Sequence, residues 1–230
     1  MTEKLKTFGG KLTWLGHASF LIQSPQGVRI AIDPFTENNP KFPKGFDFGK
    51  VDIIAGTHTH SDHFGDDGIA LAKSTDALVV GMHELTVVAG AAGIEKVSGM
   101  NKGGAQTIQG VEFRLVQAVH SGDPCGIVLT FEDGYRIYHA GDTNVFLDMS
   151  LIGELYAPDL ALLPIGDHYT MGPREAARAC ELLKIPRVIP MHFGTFPVLT
   201  GSPTALRDQL ALRKLKTEVI ELAPGGSWPA

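Results

Sequence analysis

Cysteine is scarce in this 230-residue sequence, which contains only Cys125 and Cys180. Two cysteines are too few for a disulfide framework, so we expect both to be reduced residues of the core. Long uninterrupted apolar runs are also missing, which argues against a membrane span. The segment MTEKLKT at the start has no apolar core of the kind found in signal peptides. These absences together predict a cytoplasmic protein.

Basic residues are outnumbered by acidic ones. The sequence has 20 Lys and Arg against 25 Asp and Glu, a formal net charge of -5. Because nucleic-acid partners usually require a basic face, this balance disfavours such a partner. Low-complexity linkers and strong short repeats are absent as well. The 43% hydrophobic content is that of an ordinary globular protein, which at this length can bury a substantial core.

Strand-like and helix-like segments follow one another along the whole chain. The predicted strands are 11–22, 28–32, 51–55, 78–80, 105–108, 111–119, 127–132, 135–139, 160–163, 188–191 and, as the last, 218–222. Helices are predicted around residue 71, over 84–92, 146–155 and 173–183, and from 202 onward. Each half therefore supplies strands followed by helices. That order suits an α/β (α+β) fold of two mixed β-sheets, each covered by helices on its outer face.

The segment THTHSDH at 57–63 is the most informative part of the sequence. Residues two apart on an extended segment point the same way, so His58 and His60 can hold one metal ion together. Asp62 and His63 follow after the chain turns and can reach a second ion nearby. Imidazole and carboxylate groups are ligands of zinc and related ions. A polar loop with incidental histidines is the alternative, and the density of ligand-type residues speaks against it.

Three further ligand-type residues occur downstream, each where a predicted strand gives way to a loop. They are His120 in AVHS, Asp142 in AGDT and His192 in MHFGT. Rigid scaffolds present functional residues at such positions. Taken alone, each residue is more typical of a structural role. Taken with the cluster at 58–63, they complete two sets of metal ligands.

Four motifs resemble those of the metallo-β-lactamase superfamily, in the same order and across nearly the whole chain. They are HxHxDH, the later His, GDT and the final His. WLGHASF at 14–20 resembles a branch of metal-dependent hydrolases that is similar to bacterial ascorbate-phosphate lactonases and, more distantly, to N-acyl-phosphatidylethanolamine phospholipases D. The resemblance implies one hydrolase domain over 1–230, a four-layer αββα sandwich, and metals at one edge between the sheets. It assigns His58, His60 and His120 to the first metal, Asp62, His63 and His192 to the second, and Asp142 as the bridge.

Two positions distinguish this chain from other branches of the superfamily that the resemblance implies. β-Lactamases of the superfamily usually lack the bridging aspartate, so Asp142 argues against antibiotic hydrolysis. The oxygen-reducing di-iron branch has glutamate where this chain has His60, and it carries a flavin domain for which this chain has no room. Hydrolysis is therefore favoured over redox chemistry.

The expected function is hydrolysis of a small ester, lactone or phosphodiester. Two divalent transition-metal ions, zinc or manganese, are expected to lower the pKa of a bridging water to roughly neutrality and to polarise the substrate. Asp62 is the predicted catalytic residue, orienting the attacking water or accepting its proton. No serine or cysteine nucleophile is needed, and a small molecule is the expected partner.

Three residues outside the ligand set are candidates for supporting the site. Asp33 ends a predicted strand and either accepts a hydrogen bond from a ligand imidazole or caps the turn before Pro34. His17 is either a substrate contact or a buried histidine with satisfied hydrogen bonds. Thr195, with Phe196, follows His192 closely enough to line the pocket.

His168 and Arg174 suggest an anion site. The segment HYTMGPR at 168–174 leaves a strand and enters a helix N-terminus, where backbone N–H groups attract phosphate or carboxylate. Ordinary helix entry with Gly172 as the cap explains the same segment equally well.

Two other functions compete with small-molecule hydrolysis. One is a nuclease like the tRNA 3′-processing enzymes of the superfamily, which the acidic balance and the lack of an RNA-clamping insertion weaken. The other is a non-catalytic metal-binding protein, against which the complete ligand set speaks. The lactonase-like relatives often form homo-oligomers, so the resemblance also raises the prospect of a homo-oligomer here.

Overall fold

Residues 5–229, which the computed structural model describes, form two seven-stranded β-sheets and five helices. The first sheet contains β1 (Lys11–Trp14), β2 (Phe20–Gln23), β3 (Arg29–Ile32), β4 (Ile53–Ala55), β5 (Leu78–Met82), β6 (Val97–Met100) and β14 (Ser227–Trp228). The second contains β7 (Ala105–Ile108), β8 (Val111–Gln117), β9 (Cys125–Thr130), β10 (Arg136–His139), β11 (Leu160–Pro164), β12 (Arg187–Met191) and β13 (Glu218–Val219). The helices are α1 (Gly65–Thr75), α2 (His83–Ala91), α3 (Met149–Tyr156), α4 (Pro173–Leu183) and α5 (Pro203–Leu212).

The two sheets repeat one plan. Neighbouring strands run in the order β14-β1-β2-β3-β4-β5-β6 in the first sheet and β13-β12-β11-β10-β9-β8-β7 in the second. In each sheet an antiparallel meander, β1–β3 or β7–β10, continues into parallel strands, β3–β6 or β10–β13. The expectation of two mixed sheets is confirmed.

The buried side chains of β11 show how the layers stack. Leu160 and Leu162 belong to the core shared by the two sheets, whereas Ala161 and Leu163 belong to the core under α3, α4 and α5. Successive side chains of a strand point to opposite faces, so a strand buried on both faces is apolar throughout. On the first sheet, α1 and α2 contribute Ala72 and other apolar residues to the shared cluster. The resulting order is the expected αββα sandwich.

The strand ends determine where functional side chains meet. β10, β11 and β12 are parallel, and β8 runs the same way as β10 because both are antiparallel to β9. Their carboxyl ends therefore lie at one edge of the second sheet. β3 and β4 of the first sheet end at the facing edge, so the loops after these strands converge.

The predicted strand 11–22 is wrong, because the structure divides it into β1 and β2. The backbone reverses at Gly16 (φ +90°) and His17 (φ +53°), and Ser19 N–H donates to the Gly16 carbonyl at 3.0 Å. A left-handed backbone at His17 is unusual for a residue with a side chain. Both strands are buried, so apolar residues occur on either side of the reversal and the sequence pattern did not indicate a break.

Strands β6 and β14 were not predicted, and β14 follows the strand at 218–222 that was expected to be the last. β14 pairs with β1, with Leu12 opposite Trp228. The predicted helix 146–155 begins later, at Met149. Two-residue strands such as β14 are decided by a distant partner rather than by local sequence.

Both cysteines are buried and free, as expected. The Cys125 thiol donates to the Thr57 carbonyl at 3.3 Å, and burial raises its pKa, which disfavours the reactive thiolate. None of the helices among residues 5–229 is long and apolar enough to cross a bilayer.

Candidate metal centre

His58, His60 and His120 form the first group of candidate ligands, called the first ligand group. Ligand atoms of these three side chains lie within 4.8 Å of one another. His58 Nε2 and His60 Nδ1 are 3.0 Å apart, as the extended segment after β4 predicts. Burial lowers the pKa of His58 to about 3, so its imidazole is neutral at physiological pH. Neutral imidazole is the form that binds metal.

Asp62, His63 and His192 form the second group, together with His17. One ligand atom from each of the four side chains lies within 4.8 Å of the others. His63 follows the chain turn after β4, whereas His192 follows β12 in the opposite sheet and has a left-handed backbone (φ +55°). Such strained conformations concentrate at functional sites.

The Asp142 carboxylate lies between the two groups. Its oxygens are 3.2 Å from His63 Nε2, 3.1 Å from His192 Nε2 and 3.6 Å from His120 Nε2. Gly141 allows this approach, since its φ is +62° and a Cβ there would lie 2.7 Å from the Cys125 carbonyl. Burial alone would raise the pKa of Asp142, but His63 and His192 hold it well below its usual value. The carboxylate is therefore ionised.

Several buried polar atoms of the centre lack a hydrogen-bond partner among the described residues. Five of them belong to side chains that lie close together: His17 Nε2, His63 Nε2, His192 Nδ1, His192 Nε2 and Asp142 Oδ1. Buried polar atoms are nearly always paired, so a group of unpaired imidazole nitrogens and carboxylate oxygens indicates a missing partner. Imidazole nitrogens and carboxylate oxygens are donors that divalent transition-metal ions bind. The donor set thus fits a metal site.

Asp33, at the end of β3, holds the ligand loop. Its carboxylate accepts hydrogen bonds from His63 Nδ1 at 2.8 Å, from the Thr57 hydroxyl at 2.6 Å and from the Thr57 backbone N–H at 2.8 Å. The Thr57 oxygen also lies 3.0 Å from His58 Nδ1. Burial would raise the pKa of Asp33, yet the adjacent His63 keeps it below its usual value. The contact with His63 orients the ring with Nε2 toward the centre.

His17 lies behind Asp62 and is fully buried (0% exposed). Its Nε2 is 3.3 Å from the Asp62 carboxylate, and its Nδ1 is 3.0 Å from the Thr195 hydroxyl. Burial lowers the pKa of His17 to about 4 despite the contact with Asp62. This position favours support of Asp62 over contact with substrate, and Thr195 supports His17 in turn.

His168 and Arg174 are exposed and line neither cavity at the centre. The chain turns at Asp167 (φ +66°) and His168 (φ +61°) and directs the neighbouring Tyr169 toward the site instead. The helix entry at Gly172 has an extended backbone and no side-chain cap hydrogen bond. Ordinary helix entry accounts for these features.

Two adjoining cavities open at the centre. A cavity of about 280 Å³ is lined by His60, Asp62, His120, Ser121, Asp142, Tyr169 and His192. A second, of about 420 Å³, is lined by Phe35, Asn38, Ser61, Asp62, Tyr169, Phe196 and Val198. Of the apolar lining residues, sequence reasoning singled out only Phe196. The available signal for Tyr169 was its position directly after His168, and for Val198 it was its position in the loop that follows His192.

Comparisons with known proteins show the family of this chain. A family model described as "Beta-lactamase superfamily domain" matches residues 11–192. A UPF0173 metal-dependent hydrolase of Herpetosiphon aurantiacus is 45% identical, covering 94% of this chain and 96% of its own. Another, from Methanopyrus kandleri, is 44% identical, covering 95% and 99%. A metallo hydrolase structure from Ignicoccus hospitalis matches at TM-score 0.86 and 36% identity, covering 95% and 97%. The chain therefore belongs to the metallo-β-lactamase superfamily, among its metal-dependent hydrolases.

Proposed function

We propose that this protein hydrolyses a small ester, lactone or phosphodiester, using two divalent metal ions, zinc or manganese, held by seven side chains. The ligands are His58, His60, Asp62, His63, His120, Asp142 and His192. The observation that carries the proposal is the Asp142 carboxylate, which lies within 3.6 Å of imidazole nitrogens from both ligand groups. A shared carboxylate screens the repulsion between two nearby dications.

The two ions would supply hydroxide at neutral pH and polarise the substrate oxygen. The protein's own side chains would position the water molecule and the metal ligands. Asp62 reaches both cavities with one carboxylate, so it can orient a water molecule toward a substrate bound there and accept its proton. Burial would raise the pKa of Asp62, but the contact with His17 and the nearby imidazoles hold it below its usual value. The carboxylate is therefore ionised, which is the form that can orient a water molecule.

His17 and Asp33 act as positioning residues in this proposal. His17 is fully buried, lines neither cavity and contacts Asp62, while Asp33 accepts a hydrogen bond from His63 Nδ1. Hydrogen bonds of this kind select the tautomer and orientation of a metal-binding imidazole. A preorganised site loses less free energy to reorganisation during the reaction.

The purified protein is expected to bind two transition-metal ions per chain, because two ligand groups share one carboxylate. Elemental analysis after reloading with zinc or manganese measures the ratio directly. A His192→Ala variant is expected to retain one ion, since His192 belongs to only one group. The control is Glu84→Ala, an exposed residue in the first turn of α2. Saturation of the unaltered protein at one ion per chain contradicts the two-metal proposal.

A panel of chromogenic substrates is expected to show turnover of small esters, lactones or phosphodiesters, and negligible cleavage of a β-lactam. The panel includes p-nitrophenyl esters, small lactones, bis(p-nitrophenyl) phosphate and nitrocefin, each tested with and without chelator. Activity must disappear with chelator and return with added metal. Preferential β-lactam cleavage contradicts the proposed substrate class, and tight metal binding without any turnover supports a non-catalytic role.

The nuclease alternative is disfavoured by the lining of the centre. Neither cavity includes Lys or Arg among its lining residues within 5–229. Nucleic-acid sites bind successive phosphates with basic side chains, and affinity depends on how many phosphates are neutralised. A small-molecule substrate fits the two cavities better.

A further inference from the structure

The 420 Å³ cavity beside the metal centre has the size of a small-molecule site. Binding clefts for small ligands typically occupy about 300–1,000 Å³. It shares Asp62 and Tyr169 with the smaller cavity that contains the metal ligands. A molecule reacting at the centre can therefore extend into this second space.

The walls of this cavity, which we call the side cavity, are mostly apolar. Phe35, Phe196, Val198 and Tyr169 provide four of its seven lining residues, and no Lys or Arg is among those described. Tyr169 is 59% and Val198 42% exposed, so both present apolar surface to solvent next to the site. Exposed apolar surface clustered beside a reactive centre is typical of ligand-binding grooves.

The aromatic walls are held in place before any ligand arrives. The Phe35 and Phe196 rings each meet the buried His17 ring edge to face, with centroids 5.6 Å apart in both pairs. The loop after Phe35 is tied down by the Asp67 carboxylate, which accepts from two backbone N–H groups at 2.7 and 3.1 Å. Leu199 N–H donates to the Phe196 carbonyl at 3.0 Å. Preformed walls reduce the entropy lost when a ligand binds.

We propose that the substrate carries an uncharged apolar group, an aromatic ring or a short alkyl chain, which occupies the side cavity while the scissile bond lies at the metal centre. The inference rests on the proposed hydrolase function for the position of the scissile bond. A phosphate or carboxylate in the side cavity would lose water without gaining a cationic partner, which is unfavourable. Arg174 and His168, the expected anion-binding residues, lie outside this space.

Binding of three phosphonates to the zinc-loaded protein tests the proposal by isothermal titration calorimetry. Methylphosphonate, butylphosphonate and phenylphosphonate share a metal-binding head and differ only in the apolar group. We expect phenylphosphonate to bind at least about 10-fold more tightly than methylphosphonate, because apolar groups in a fitted pocket each contribute factors of this size. Butylphosphonate should fall between the two or match the phenyl compound.

Variants of the side cavity locate the effect. Phe196→Ala and Val198→Ala are each expected to remove most of the preference for phenyl over methyl. Val198 is exposed, so its truncation tests the proposal even where Phe196→Ala fails to fold. The matched control is Val88→Ala, since Val88 is 45% exposed on α2 and lines neither cavity. It should keep the full preference.

Three results overturn the proposal. Equal affinity for the three phosphonates shows that the side cavity does not select apolar groups, while the hydrolase proposal stands on its own metal and turnover data. Tighter binding of 3-phosphonopropionate than of butylphosphonate identifies an anion subsite instead. A preference that survives both Phe196→Ala and Val198→Ala places the apolar group elsewhere. Failure of the protein to retain either zinc or manganese contradicts the proposed function itself and is seen separately by elemental analysis.

Discussion

Replacing Asp142 with alanine is expected to lower turnover by well over 100-fold and to release the second metal ion first. The carboxylate oxygens lie 3.1–3.6 Å from nitrogens of His63, His120 and His192. Without the shared negative charge, two dications in adjacent ligand groups repel each other more strongly. Loss of a residue that only supports a ligand commonly lowers metal affinity or activity 10–100-fold, and loss of a ligand exceeds this.

The Asp142→Ala experiment measures metal content, circular dichroism and turnover on one preparation. The protein is expected to fold with reduced stability, since Asp142 lies outside both apolar cores but is buried against His63 and His192. Asp142→Asn keeps the shape of the side chain and removes its charge. It therefore separates the screening of repulsion between the two ions from the packing of the side chain, and it is expected to behave like the alanine variant. Asp148→Ala is the control, because Asp148 is exposed six residues further along the same loop. Retention of both ions and near-normal activity in Asp142→Ala contradicts the bridging role.

Replacing Asp33 with alanine is expected to lower the free energy of unfolding by about 3–5 kcal/mol, the range for removing one partner of a buried charged pair. Asp33 is fully buried and accepts hydrogen bonds from His63 and from both the hydroxyl and the backbone N–H of Thr57. Its removal leaves three buried donors without an acceptor. For a chain of this size the melting temperature should fall by roughly 6–20 °C.

The matched control for Asp33→Ala is Asp76→Ala. Both aspartates have left-handed backbones, with φ +43° at Asp33 and +56° at Asp76, so both variants bear the same type of backbone strain. Asp76 is exposed, and within residues 5–229 its carboxylate pairs only with Lys96, a contact of little consequence for stability. Denaturant unfolding near pH 7, with metal and with chelator, gives the difference between the two variants in the free energy of unfolding.

The pKa of Asp33 in the folded state lies below its usual value of 3.8. Its stabilising contribution is therefore fully present above pH 3.8 and is lost only as the pH falls through the folded-state pKa. Equal destabilisation of the two variants contradicts the role assigned to Asp33.

Regular segments with a local signature were predictable from sequence. The helix at Pro173–Leu183 begins with proline in its first turn, and the helix at Pro203–Leu212 begins after Ser202, whose hydroxyl accepts from the Ala205 N–H at 3.2 Å. Both starts depend on chemistry within three residues. The single strand predicted over 11–22 failed because the reversal at Gly16 and His17 lies inside an apolar segment and is decided by distant contacts. Among these, His17 O accepts from the His192 N–H at 3.0 Å.

The sequence by itself determined the superfamily, the two-sheet plan and the residue types available for metal binding. Spacing alone predicts that His58 and His60 share a face, because the side-chain period of an extended strand is two. For ligand-type residues that are close in sequence, short-range stereochemistry restricts how the side chains can be placed relative to one another. The order of motifs along the chain then implied that the distant His120, Asp142 and His192 belong with them.

Only the tertiary structure decided which side chains support the ligands and what surrounds them. Asp33 and Thr57 are 24 residues apart, and His17 and Thr195 are 178 apart, yet each pair forms a buried hydrogen bond. Phe35 and Phe196 reach the side cavity from loops of opposite sheets, and His168 and Arg174 do not line it. Contacts between remote segments depend on how two sheets pack, and packing is set by the sum of many apolar contacts rather than by any local pattern. For this reason the sequence could suggest the candidate ligands, whereas the shape and polarity of the cavity beside them were not predictable.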